Sequence, residues 1–104
     1  MAKNAVKKIS FNDLNDKPTI LKCEHGIAQV NVPGNGDASI GIAKPPGWTK
    51  IIGFAFSPQP LSTWNTFLIG SQTSYGNDGN MSQQFHAIGT TTQDYNIHYT
   101  LIGY

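Results

Sequence analysis

A chain of 104 residues with seven lysines, no arginine and six acids has a formal net charge of +1. That leaves no basic stripe for phosphates or base edges and argues against a nucleic-acid reader. Charged residues make up 12%, about half the usual share. Polarity comes instead from Asn, Thr, Ser and Gln, a mix that suits strands and loops rather than helices, and the single cysteine excludes an internal disulfide framework.

The opening MAKNAVKKIS is basic but lacks the apolar run of a secretory signal, so synthesis in a cytosol is expected. No run approaches a membrane span, and no membrane insertion is expected. Ser10 can cap a short turn, with Asp13 three residues on, where an acid favours a helix start. Phe11 and Leu14 then share one side, and Pro18 forces Lys17 into an extended conformation that ends the turn. Residues 1–20 therefore read as an arm with one helical turn, and residues 21–104 as a single β-domain.

From there the period becomes two. In IAQVNV, Ala28, Val30 and Val32 fall on one face. PGNGD is a turn, and ASIGIA repeats the alternation through Ile40 and Ile42. After the break KPPGW, TKIIGFAF is apolar on both faces and predicts a central or doubly covered strand. SPQPLST is expected to be a loop because of its two prolines. WNTFLIG is expected to be a strand, SQTSYGNDGNMS a long polar loop, QQFHAIG a strand with His86 opposite Phe85 and Ala87, and TTTQD a turn.

The clearest strand comes last, with Tyr95, Ile97, Tyr99 and Leu101 on one face and Asn96, His98 and Thr100 on the other. Six or seven short strands predict an all-β fold, an antiparallel β-sandwich or small barrel of jelly-roll-like type.

No catalytic signature stands out, and a non-enzyme without cofactor is expected. Cys23 and His25 share a face if extended, but with His86 and His98 they show none of the paired spacings of a zinc site, so no metal is expected. Cys23 lies beside Glu24, which opposes a reactive thiolate, and a buried or inert thiol is the expectation. Asp78 and Asp94 both fall in turn sequence rather than forming a carboxylate pair across a cleft. YGNDGN lacks the ligand spacing of a calcium loop. Trp48, Trp64 and Tyr75 could provide an aromatic platform for a saccharide among many amides and hydroxyls. Placement in the core or an interface is the first expectation for each tryptophan.

SFNDLNDKPTI, residues 10–20, resembles a segment common in tail fibres and baseplate appendages of bacteriophages. That segment reads roughly Ser/Thr-aromatic-Asn/Asp-Asp-Leu-x-Asp-Lys-Pro-Thr and lies in a shaft or neck ahead of a terminal head. DYNIHYTLIGY is similar to the closing strand of such fibre tips, and AKPPGWTKIIGFAF to head strands that follow a P-x-G-aromatic turn. The resemblance implies a homotrimer with Phe11 and Leu14 near the axis of the neck, made in the host cytoplasm and placed in the virion tail. It also implies a head that binds a host surface receptor, often a saccharide.

The chain departs from the pattern in having no long coiled-coil or collagen-like shaft. On this reading the ligand contacts are expected from Trp64, Tyr75, Asn77, Asp78, Asn80, His86 and His98. Two alternatives stay open. One is a structural adaptor that docks on another tail or baseplate protein without touching a receptor, and the other is a monomeric cellular carbohydrate-binding module.

Overall fold

The computed structural model describes residues 20–104. Six strands follow in order: β1 (Lys22–Val32), β2 (Asp37–Ile42), β3 (Ile51–Pro60), β4 (Phe67–Tyr75), β5 (Met81–Ile88) and β6 (Gln93–Gly103). They form two antiparallel three-stranded sheets, β1-β6-β3 and β2-β5-β4, packed as a β-sandwich. The turn predicted at residues 10–18, with Phe11 and Leu14, lies outside the described residues.

β6 is central in its sheet, and its alternation is the clearest in the chain. Tyr95, Ile97 and Leu101 are fully buried, and such side chains each contribute at most about 1.5–3 kcal/mol. The core has two parts. Val32, Leu68, Phe85, Ala87, Tyr95 and Ile97 fill one half. Ile51, Met81 and Leu101, with Trp48, Phe54 and Tyr99 against them, fill the other.

β1 approaches β2 along one side of the sandwich and β3 approaches β4 along the other. The Pro33–Asp37 corner that sends the chain from one sheet to the other closes through Gly36 N to Pro33 O at 2.9 Å. Asn35 takes the left-handed conformation there (φ 51°), which Asn tolerates better than most residues.

Three expectations about strands are corrected. TKIIGFAF is not a central strand. β3 lies at the edge of its sheet, and a bulge between Ile51 and Gly53 turns Ile52 outward.

Pro58 and Pro60 lie inside β3, paired in register with Ile97 and Tyr95. The bond from Leu61 N to Asp94 O fixes the alternation of the ladder. Odd-numbered residues donate to β6, so the missing donors at 58 and 60 would have pointed away from the sheet, where an edge strand tolerates proline.

SQTSY is the second half of β4 rather than a loop. Gln72, Thr73, Ser74 and Tyr75 pair with Gln84, Gln83, Ser82 and Met81. Exposed on both faces, this segment has no need of apolar residues. Polar cross-strand pairs hold it, and the Thr73 hydroxyl donates to Gln83 Oε1.

Candidate functional site

The seven predicted contact residues do not form one site. Tyr75 ends β4, and Asn77, Asp78 and Asn80 form the short turn into β5, so these four gather at one end of the sandwich. Most of their polar atoms serve the turn itself. Asp78 accepts from Asn80 N at 3.0 Å and from Asn80 Nδ2 at 3.1 Å. Asn80 Oδ1 accepts from Lys44 N at 2.9 Å, and Gly79 O from Ile51 N at 2.9 Å. The turn thereby staples the loop between β2 and β3, and Gly79 supplies the left-handed backbone it needs (φ 88°). Tyr75 and Asn77 remain open on a shallow hollow of about 340 Å³ beside Lys50 and Ile52.

The two histidines sit on opposite outer faces of the sandwich. His86, on β5, lies between Asp37 and Ile69 in register, and its Nδ1 is 2.7 Å from Asp37 Oδ1. His98, on β6, has Nε2 at 2.8 Å from Gln59 Oε1. Beside it, His25 Nδ1 is 2.9 Å from Thr100 Oγ1, around an open hollow of about 480 Å³. No three His, Cys, Asp or Glu side chains come together among the described residues. Cys23 is exposed rather than buried.

Trp64 stands at the other end, separated from Tyr75 by the length of β4, about 30 Å. It does not begin a strand, since β4 starts three residues later. Of the two tryptophans expected in the core or an interface, Trp48 is partly buried against the core, whereas Trp64 is not in the core and is 78% exposed.

The loop that carries Trp64 is nevertheless held firmly. Gln93, 4% exposed, accepts at Oε1 from Ser62 N and Thr63 N, both at 3.0 Å, and donates from Nε2 to Thr63 O at 3.1 Å. Buried Thr66 accepts from Thr91 N at 3.2 Å through its hydroxyl, and Thr91 Oγ1 donates to Asn65 Oδ1 at 3.3 Å. An exposed indole is thus presented on a fixed base, among amides and hydroxyls.

Gln93 was missed in the sequence because it sits in what reads as turn sequence. Carrying the inward set of Tyr95, Ile97, Tyr99 and Leu101 back one step would have placed it indoors. Beside Trp64 lies a recess of about 80 Å³ between Pro58, Pro60, Phe67 and Leu68, with Tyr95 at its floor. Among the described residues, the acids at this end are Asp37 and Asp94, whereas Lys22, Lys44 and Lys50 all lie at the opposite end. In comparisons with protein-family models, curated proteins and solved structures, nothing matches this chain.

Proposed function

We propose that the chain is a non-catalytic binding domain of a bacteriophage tail appendage, working as a homotrimer and recognising a host-surface saccharide at its Trp64 end. The observation that carries this reading is an exposed indole on a loop pinned by the buried Gln93. A loop whose backbone is already fixed loses little entropy when a ligand settles on the aromatic side chain it carries. The C–H face of a sugar suits such a ring, and the neighbouring Asn65 keeps its side-chain amide N–H groups for a ligand while its Oδ1 accepts from Thr91. Tyr75 and Asn77 form a second, weaker candidate at the far end.

The test uses the purified full chain on host surface glycans and, added free, in a phage adsorption assay. Retention and inhibition, both lost in Trp64→Ala, are the expected results. Neither effect from the unaltered protein would overturn the reading.

A second reading, the structural adaptor, has its own support in an apolar stripe on the outer face of the β2-β5-β4 sheet. Phe67, Ile69 and Ile88 are 55%, 45% and 38% exposed, and Phe67 lies opposite Ile88 in register. Such a stripe suits a protein partner or a neighbouring copy. The adaptor would co-purify with a tail protein and bind no glycan. For the trimer, light scattering should give about 34 kDa from an 11.3 kDa chain, and truncation to Pro18 should lower it to a monomer if Phe11 and Leu14 form the neck.

A further inference from the structure

The recess beside Trp64 bears on which sugar is recognised. We infer that it receives the methyl group of a neutral sugar, an acetamido or 6-deoxy methyl, while the sugar ring lies against Trp64. This rests on the saccharide reading above and narrows it to a ligand class.

Size comes first. At about 80 Å³ the recess is far below the roughly 300–1,000 Å³ of a site that engulfs a whole small molecule. It has room for a substituent, with the rest of the ligand outside.

Its chemistry then selects the substituent. Pro58, Pro60, Phe67 and Leu68 offer carbon only. Of the polar side chains that line it, those of Tyr95 and Thr66 are already engaged. The Tyr95 hydroxyl donates to Thr66 O at 3.4 Å and lies 3.4 Å from Gln93 Nε2. The Thr66 hydroxyl lies 3.3 Å from Asn65 Oδ1 and accepts from Thr91 N. A hydroxyl pushed to the floor of this space would lose water and find the Tyr95 and Thr66 hydroxyls already bonded, which is unfavourable. A methyl meets no such penalty.

Charge selects the rest of the ligand. Among the described residues no lysine lies at this end, so a sialic acid, a uronic acid or a phosphorylated sugar would find no cation to pair with its charge. A neutral sugar needs none.

The walls are also rigid. Two prolines and a loop fixed by Gln93 keep the recess open without a ligand, so little ordering has to accompany binding.

The experiment compares matched neutral glycans on the full-length protein by titration of tryptophan fluorescence and by retention on immobilised ligand. One pair is chitotriose against cellotriose, which share a backbone and differ in the acetamido groups. The other is a fucose-terminated against a galactose-terminated trisaccharide. The methyl-bearing member of at least one pair should bind about fourfold or more tightly, the factor that burying one methyl supplies. Phe67→Ala, which removes an exposed wall, should erase that preference and keep the residual binding. Trp64→Ala should abolish binding of both members.

Equal affinity within both pairs, still dependent on Trp64, would overturn the recess inference and leave the saccharide reading standing. No binding to any member, or a preference that survives Trp64→Ala, would overturn both.

Discussion

Gln93 and Thr63 are joined by two hydrogen bonds: the Gln93 side-chain carbonyl accepts from Thr63 N at 3.0 Å, and its amide donates to Thr63 O at 3.1 Å. A side chain thus pairs with a loop residue as a neighbouring strand would. The same oxygen also takes Ser62 N. Replacing Gln93 with Leu keeps the volume roughly constant and removes all three bonds. We expect a loss of about 1–3 kcal/mol, a fall of roughly 4–8 °C in Tm per kcal/mol for a domain of this size, and faster amide exchange at Ser62 and Thr63. Unchanged exchange at those two amides would show that the loop is held by other means.

The Tyr99 ring lies across Gly26 on the neighbouring strand, in the space a side chain would fill. Gly26→Ala therefore forces the ring aside and should destabilise by about 1–3 kcal/mol. Combining it with Tyr99→Leu tests the cause. The two changes should be less than additive, because the shorter side chain leaves room for the new methyl. Strict additivity in denaturant titrations would mean that the two residues do not interact as the geometry says.

Trp64→Ala should leave the fold almost untouched, with a change within about 0.5 kcal/mol, because the indole is mostly in water. A melting curve and a glycan-retention assay on the same sample would separate the two roles. A drop of several degrees in Tm together with lost binding would make Trp64 a structural residue instead.

Pro58 and Pro60 deny the outer edge of β3 two backbone donors, a common protection against strand-to-strand association. The double variant Pro58→Thr with Pro60→Thr restores them on an accessible edge and should associate with increasing concentration. Light scattering over a dilution series is the measurement. A concentration-independent mass equal to that of the unaltered protein would show that the prolines serve the recess alone.

Much of the fold was legible in residue order. The alternations around Val30, Ile40, Phe85 and Ile97 fall on the strands they predicted, and the Gly- and Pro-rich breaks after Val32 and Ile42 fall between strands. The failures share a cause. β1 begins at Lys22, five residues before its alternation, because β6 is long enough to pair with that polar stretch. β4 continues through SQTSY because β5 lies beside it. β3 runs on through two prolines because its far side has no neighbouring strand. In each case pairing with a distant segment overrode local composition.

The candidate site was legible in its residue types but not in its grouping. Asn77, Asp78 and Asn80 had the chemistry of a turn and form one. His86 and His98 both lie on polar strand faces, yet only the assignment of β5 and β6 to different sheets puts them on opposite sides of the sandwich. Alternation is a local property of a strand and carries no information about which sheet it joins. By itself, then, the sequence determined an all-β chain with an inward face on each strand and few charges. Which strands became edges, and that Trp64 stands in water on a loop clasped by a buried glutamine, were decided by the tertiary structure. Those outcomes depend on contacts between residues some thirty positions apart, and short-range patterning does not encode them.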